Sequence, residues 1–320
     1  MNRIHTWLDH LRSRYGERRV NWLGVLLLIG IGSAGVHLLV RHNLDSSALL
    51  YVGLPYLGAL AIVIVRPPRS RDRWWHAYRD FTLTSLIVLL ASSIVLFEGF
   101  VCVLLFLPIY FLVVSIAFLG TWWLNRNQGR DRTLGMLLPV LVLSSSFEGT
   151  TETLSAERIA QAEASRIIEL SPDRIMRNLL RPIELDTDRS WLLAIFPMPY
   201  RVDADSLEEG AIHRMHTRYH RWFVTNTREG EVHLEIVDFE PDRLRTRVVH
   251  DTSFFATYLT QLGSELTLTR IASNRTEIRL RLEYRRNLDP AWYFHPLQQY
   301  AMHEMAAFFI DEVLIRDSDA

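Results

Sequence analysis

The sequence lacks several residues and motifs that would direct a functional assignment. It has no lysine, so every strongly basic side chain is arginine, a bias that a GC-rich genome explains. Its single cysteine, Cys102, lies in an apolar run, which excludes an internal disulfide framework and a cysteine-based metal site. The formal net charge of −1 gives no reason to expect nucleic acid as a partner. No HExxH, Walker, GxSxG or dinucleotide-binding fingerprint occurs, and we expect neither a cofactor nor a metal.

The two halves of the chain differ in character. Residues 1–150 hold nearly all the long apolar runs and carry 14 arginines against 8 acidic residues, whereas residues 151–320 carry 21 arginines against 28 acidic residues. A chain of this length has room for about two domains. We therefore predict an N-terminal membrane region followed by a soluble domain, with the boundaries 1–20 for an amphipathic helix, 21–149 for the membrane region and 150–320 for the soluble domain.

Four apolar stretches approach the length of about 20 residues that a helix needs to cross a bilayer. A fifth, Leu134–Phe147, has 14 residues and contains Pro139, so it is either a short span or an interfacial segment. The sequence thus predicts a membrane α-helical bundle of four or five spans. The four longer stretches are Trp22–Val40, Ala48–Val65, Phe81–Phe97 and Phe100–Leu124.

The arginines between these stretches predict the orientation in the membrane. Five arginines precede the first stretch, five lie between the second and third, and three follow the fourth, while the other two connections are nearly free of them. Positive residues collect on the cytoplasmic side, so we predict a cytoplasmic N-terminus in a bacterial plasma (inner) membrane. Four spans would keep the soluble domain in the cytoplasm and five would export it. The absence of arginine between Phe147 and Glu157 favours export.

Two local patterns predict contacts of the N-terminal region. Apolar residues Ile4, Trp7, Leu8, Leu11 and Tyr15 recur at helical spacing within residues 1–20, with arginines on the other side, which is typical of a helix lying on anionic lipid. The GIGSAG run at residues 30–35 lies inside the first predicted span. Small residues there favour close helix packing, and hence a homo-oligomer, rather than phosphate binding.

The period of the apolar residues changes after residue 150. Ser171 and Pro172 are typical of a helix start. The segment 276–285 alternates between two faces, as in an antiparallel sheet with one dry side. The pattern indicates strands at 162–170, 231–239, 243–250, 264–271 and 276–285, with a short helix at 171–180 and a second one at 182–194.

An amphipathic helix ends this domain. Asp289 is a candidate cap, and Pro296 predicts a short turn before the main helix. On that helix Met302, Met305 and Phe309 share a face. It is the only element long enough to cover the apolar face of the sheet, so we predict an α+β fold in which an antiparallel sheet packs on a long C-terminal helix.

Three segments of the soluble domain show a pattern known from other proteins, and within them lie Gly210–Arg214 and Tyr284–Tyr293. They are ASRIIELSPDRIMRNLL, FPMPYRVDADSLEEGAIHR and LEYRRNLDPAWYFHPLQQYAMHEM. Through these segments, residues 160–317 resemble the START-like superfamily, also called SRPBCC or helix-grip, and most of all a bacterial group of polyketide-cyclase-like proteins. The resemblance implies a curved antiparallel sheet that grips the long C-terminal helix, with a hydrophobic cavity between them. The candidate lining residues are Tyr219, Tyr258, Tyr284, Trp292, Tyr293, Met302, Met305 and Phe309.

Three functions compete on these grounds. The first is a membrane-tethered module that binds a hydrophobic small molecule or a lipid from the adjacent bilayer. The second is a cyclase- or hydratase-like enzyme, for which His213, on the inward face of its strand, is a weak catalytic candidate. The third is a non-catalytic interaction or assembly protein whose cavity is filled by side chains. The volume of the cavity distinguishes the third function from the first two.

Overall fold

The structure is a computed structural model, and it forms two compact units, Met1–Ser155 and Ala156–Ala320. Each unit is described by itself below. The described residues are 13, 31–32, 34–36, 38–44, 46–65, 74–95, 100–126, 132–180, 183–184, 198–204, 206–222 and 225–315.

The described part of the first unit is helical. Helix α1 (Leu54–Val65) continues a π-helical turn at Leu49–Gly53, and it is followed by α2 (Trp74–Val95), α3 (Phe100–Arg126) and α4 (Arg132–Ser145). These helices coincide with four of the five apolar stretches. The predicted interfacial helix at 1–20 and most of the stretch at 22–40 lie outside the described residues.

One helix among the described residues is long and apolar enough to cross a bilayer, over the 19 residues Leu105–Trp123. The helical segment Leu49–Val63 is apolar but shorter. Because only this one described helix meets the length and composition of a span, the number of membrane spans stays a prediction.

Helices α2 and α3 are joined by a hydrogen bond of 2.7 Å from the Tyr110 hydroxyl to the Ser85 carbonyl.

The second unit is an α+β arrangement built on one antiparallel sheet. Strand β1 (Ile159–Ile168) is followed by a short helix, α5 (Pro172–Asn178), which begins after Ser171 as predicted. The predicted second helix at 182–194 lies mostly outside the described residues, and Ile183–Glu184 form a short strand, β2, instead. The remaining strands are β3 (Met198–Asp203), β4 (Ile212–Trp222), β5 (Thr225–Glu240), β6 (Arg243–Asp251), β7 (Leu259–Ala272) and β8 (Arg275–Arg286).

The strand order is β1-β8-β7-β6-β5-β4-β3-β2, so the first strand pairs with the last. Register shifts that indicate bulges interrupt the pairing of β5 with β6 and of β7 with β8. Bulges bend the bulged strand and increase the local twist. The result is a half-barrel sheet, and its curvature is what the family resemblance implies.

Helix α6 (Ala291–Phe309) packs mainly on β1 and β8 and continues into a π-helical segment, Ile310–Ile315. The prediction that the main helix starts near Pro296 is wrong, because α6 runs through this proline. Phe294 and Gln298, which flank Pro296, are both buried, so packing on either side holds the helix where the proline removes a backbone donor. The prediction of a long helix on a curved antiparallel sheet is confirmed.

Candidate functional site

The interface between α6 and the sheet is the place where the resemblance implies a cavity. Met302 and Met305 project from α6 into a continuous buried cluster with Leu280 and Tyr284 of β8. The small side chains of Ala162 and Ala164 on β1 lie in the same cluster. The cluster is apolar and closely connected, and Phe309 packs against it while half-buried.

Two buried polar atoms, one on β8 and one on α6, have no hydrogen-bond partner among the described residues. They are the hydroxyl oxygen of Tyr284 and the Oε1 atom of Gln298. The Tyr284 side chain is fully buried, and burial raises the pKa of its hydroxyl to about 12. The amide nitrogen of Gln298 donates to the Tyr258 carbonyl at 3.0 Å. A buried polar group without a partner is rare in a folded protein and calls for an explanation.

The other predicted lining residues occupy different environments. Trp292 is 54% exposed, so α6 does not direct it into the core. Tyr258 and Tyr293 are half-buried, and Tyr293 stacks edge-on against Trp292 with ring centroids 5.9 Å apart. Tyr219 pairs in register with Arg228, and its side chain lies outside the described residues. The structure thus brings together Tyr284, Met302, Met305 and Phe309, and it leaves Trp292 at the surface.

The catalytic candidate His213 lies on the inner face of β4, as the alternation predicts. It is buried, like Met215 and Thr217 on the same face, while Arg214 and Arg218 on the other face are exposed. Its Nε2 atom lies 2.8 Å from the Ser206 carbonyl. A carbonyl only accepts, so Nε2 carries the proton and donates it there. This contact gives His213 a structural role between β4 and the preceding loop.

The outer face of the sheet carries a row of histidines and carboxylates. The Nε2 atom of His216 lies 3.1 Å from Asp203, and its Nδ1 atom lies 3.3 Å from Glu231. Glu231 in turn lies 3.0 Å from His233. The hydrogen bond from His233 holds the pKa of Glu231 below its usual value, and the hydrogen bond from Arg201 does the same for Asp203. Within the described ranges, no three such side chains are arranged to hold a metal ion.

A pocket of about 170 Å³ lies where the β4–β5 hairpin meets the loop between β6 and β7. We call it the hydroxyl pocket. Most of its lining side chains are small and carry hydroxyls, and they come from chain segments far apart in the sequence. No periodic signal in the sequence joins them, so sequence analysis missed this pocket. Its lining residues are Thr217, Arg228, Glu229, Thr252, Ser253, Phe254 and Thr257.

A second pocket, of about 220 Å³, lies over β1, β8, β7 and β6. Its polar side chains largely bind one another. Arg281 lies 3.4 Å from Glu265 and 3.2 Å from Glu163, and the hydroxyls of Thr246 and Ser264 are 2.7 Å apart. This ion-paired surface has few free groups to offer a ligand.

No protein-family model matches the chain, and no curated protein matches it. Solved structures do. The Zhui aromatase/cyclase from Streptomyces sp. R1128 is 13% identical, with 49% of this chain and 92% of that chain covered and a TM-score of 0.32. A START superfamily protein from Mycobacterium smegmatis is 11% identical, with 48% and 96% covered and a TM-score of 0.32. Norcoclaurine synthase from Thalictrum flavum is 11% identical, with 50% and 94% covered and a TM-score of 0.33.

The second unit fits the helix-grip fold. The fold is evident in the strand order, the curved antiparallel sheet and the terminal helix that packs on β1 and β8. Similarities at these identities transfer no residue role to the helix-grip unit.

Proposed function

We propose that the protein is a multi-pass membrane protein whose helix-grip unit binds a hydrophobic or lipid-like molecule between the sheet and α6. The observation that carries the proposal is the Tyr284 hydroxyl, which is fully buried in the apolar cluster without a hydrogen-bond partner among the described residues. Burying a polar atom in such a position costs free energy, and a bound molecule that supplies the missing partner removes this cost.

The apolar surroundings of Tyr284 suit a hydrophobic ligand. Ligand sites are mostly apolar and hold a few polar groups that fix orientation. Tyr284 and Gln298 supply two such polar groups, and Met302 and Met305 supply flexible side chains that can repack around a guest. Ligand entry therefore requires movement of these side chains rather than a large preformed opening.

The membrane region completes the proposal. Four described helices coincide with apolar stretches of the sequence, and α3 contains 19 residues apolar enough to cross a bilayer. Anchoring the helix-grip unit at the membrane raises its effective concentration near lipid without any additional contact. We propose four or five spans in a bacterial inner membrane, with a cytoplasmic N-terminus. The side of the helix-grip unit follows from the number of spans, and a topology reporter fused after Glu152 measures it.

Lipid extraction tests the binding proposal. The full-length protein and the Tyr284→Phe variant are purified in the same detergent, and the molecules that co-purify are measured by mass spectrometry. Lipid held by the membrane helices is common to both preparations, so the difference reports on the helix-grip unit. We expect one hydrophobic species to be depleted about two- to tenfold in the variant, the effect of one hydrogen bond. Tyr300→Phe, at an exposed position of α6, serves as the control.

A second candidate is an interaction or assembly protein with a filled core. The continuous packing of Met302, Met305 and Tyr284 favours it. Identical lipid profiles in wild type and Tyr284→Phe, together with no binding of an added fluorescent fatty acid, would contradict ligand binding and support this candidate. For the enzyme alternative, the bond from His213 to the Ser206 carbonyl favours a structural role for the proposed catalytic residue.

A further inference from the structure

The hydroxyl pocket contains hydrogen-bond donors that other groups in the described part of the chain do not use. Ser253 is 4% exposed, and its Oγ atom has no partner there. The guanidinium of Arg228 and the hydroxyl of Thr257 also line the pocket, and neither forms a hydrogen bond or ion pair with the described residues. Three unused donors, one of them charged, thus converge on one small space.

The remaining hydroxyls of the pocket are occupied. Thr217 donates to the Gly230 carbonyl at 3.0 Å. Thr252 accepts from the backbone N–H of Glu231 at 2.9 Å and donates to the carbonyl of the same residue at 3.3 Å. The two bonds of Thr252 hold the β6–β7 loop against β5 and position Ser253 beside the pocket.

The charges around the pocket favour an acidic group. Arg228 pairs in register with Tyr219 and therefore lies on the inner face of the hairpin with Thr217. Glu229 belongs to the outer face, where it forms an ion pair of 3.1 Å with Arg218. Asp251 accepts the backbone N–H of Ser253 at 2.8 Å and does not line the pocket, although its other oxygen is buried without a partner in the described residues. Among the described lining residues, Arg228 is the charged side chain that has no ion-pair partner.

The size of the pocket limits what it can hold. A water molecule takes about 30 Å³ in the liquid, so 170 Å³ accommodates a group of roughly five heavy atoms, such as a phosphate or a carboxylate with its first carbons. Phe254 lines the pocket, and the adjacent Phe255 belongs to the apolar core of the unit. A molecule with its acidic group in the pocket therefore has the aromatic ring of Phe254 beside it.

We infer that the hydroxyl pocket binds the acidic head group, phosphate or carboxylate, of the ligand, with Arg228 supplying the charge and Ser253 the buried hydrogen bond. The inference rests on the proposed function and specifies its substrate class as acidic amphiphiles. Arg228 is exposed, so its side chain is free to reorient toward the head group of a ligand that has entered the pocket. Ser253 is fixed by the loop and defines the depth to which the head group reaches.

Binding of two matched lipids tests this inference on the full-length protein in detergent. The probes are monooleoyl glycerol phosphate and monooleoyl glycerol, which share one chain and differ in the phosphate. We expect the phosphate-bearing lipid to bind about tenfold more tightly, which corresponds to about 1.4 kcal/mol. Arg228→Gln should abolish the preference, and Arg228→Lys should restore part of it. Ser253→Ala should reduce the preference without loss of thermal stability, because the hydroxyl it removes has no partner among the described residues.

The matched control is Arg214→Gln, at an exposed position on the outer face of the same hairpin and outside the lining of the pocket. It should keep the preference for the phosphate-bearing lipid. Equal binding of both lipids, or a preference that survives Arg228→Gln, would overturn the acidic-head-group inference and leave the proposed function standing. Binding of neither lipid would contradict both. Competition by inorganic phosphate alone would identify a free anion as the natural occupant, whereas competition only by the acidic lipid identifies a head group.

Discussion

The guanidinium of Arg286 and the carboxylate of Asp289 form an ion pair in which both side chains are fully buried. Arg158 adds a second contact to the same carboxylate, with its Nη2 atom 2.7 Å from the Asp289 Oδ2 atom. Arg286 also donates to the Leu288 carbonyl. These bonds connect the end of β8, the residue before β1 and the entry to α6, so one carboxylate fixes where the terminal helix begins.

We predict that Asp289→Asn lowers the free energy of unfolding by about 3–5 kcal/mol, because it removes the counter-charge of Arg286, whose guanidinium is fully buried. Denaturant unfolding of the full-length protein, monitored by circular dichroism, measures the effect. The control is Glu277→Gln, which removes a surface ion pair with Arg279 and should cost less than about 1 kcal/mol. Equal losses in the two variants would show that the buried pair does not anchor α6.

The packing of α6 on the sheet yields a second prediction. Met305→Ala removes a buried side chain from the cluster with Tyr284 and should lower the free energy of unfolding by about 2–5 kcal/mol. Leu297→Ala, on the same helix at a position 41% exposed, should stay within about 0.5 kcal/mol of wild type. Both are measured by denaturant unfolding. A small loss at Met305 would mean that the helix packs loosely on the sheet.

The sequence pattern predicted the inner face of the sheet well. Alternation in β8 assigned Ile278, Leu280, Leu282 and Tyr284 to one side, and all four are buried. Continued by one step, the same alternation places Arg286 on that side too, which was the available signal for a buried charge. The partnership with Asp289 could not be read from spacing, because it depends on the turn geometry between β8 and α6.

The hydroxyl pocket shows where sequence reasoning fails. Thr217, Arg228 and Ser253 meet because the β4–β5 hairpin and the β6–β7 loop converge in the folded sheet. Each of these residues, taken alone, is an ordinary polar residue of a strand or a loop. The sequence instead favours aromatic residues and methionines as lining residues, and one of these, Trp292, is exposed. Composition and periodicity identify faces of elements, whereas a site formed by two loops requires the register and the curvature of the sheet.

The outer row of histidines and carboxylates predicts a pH-dependent stability. Hydrogen bonding from His233 lowers the pKa of Glu231, and the charges of His216, His233 and Arg214 act in the same direction. A carboxylate whose pKa is lower in the folded state than in the unfolded chain stabilises the folded state at pH values above the unfolded pKa of about 4.3. This stabilisation is lost as the pH falls through the folded pKa. We expect Glu231→Gln to lower the unfolding midpoint at pH 6 and to converge with wild type below about pH 4.

Thermal unfolding of wild type and Glu231→Gln between pH 3 and pH 7 tests this pH dependence, because the range includes the unfolded glutamate pKa of about 4.3. Glu240→Gln, at the end of the same strand and without a histidine contact in the described residues, is the control and should follow the wild-type profile. A gap between Glu231→Gln and wild type that persists undiminished at the acid end would show that the charge of Glu231 does not stabilise the folded unit.

Gly230 lies where the backbone of the β6–β7 loop approaches β5 closely. A Cβ atom at Gly230 would lie 2.5 Å from the Thr252 carbonyl oxygen and 2.8 Å from the Ser253 Cα atom. Both neighbours are backbone atoms, so Gly230→Ala must push the loop away from β5. Overpacking of this kind costs about 1–3 kcal/mol. The displacement also moves Ser253 out of the hydroxyl pocket, so the preference for the phosphate-bearing lipid should fall together with stability.

The comparison with Ser253→Ala separates the two effects of Gly230→Ala. Ser253→Ala should lose the lipid preference alone, whereas Gly230→Ala should lose both the preference and stability. Gly120→Ala, inside helix α3 at a position where the added Cβ meets no packing neighbour within 4 Å, controls for the substitution itself and should keep the lipid preference without lowering stability. Thermal unfolding and lipid binding are measured on the same preparations. A stable Gly230→Ala protein that retains the preference would show that the loop does not need this contact to hold Ser253 in place.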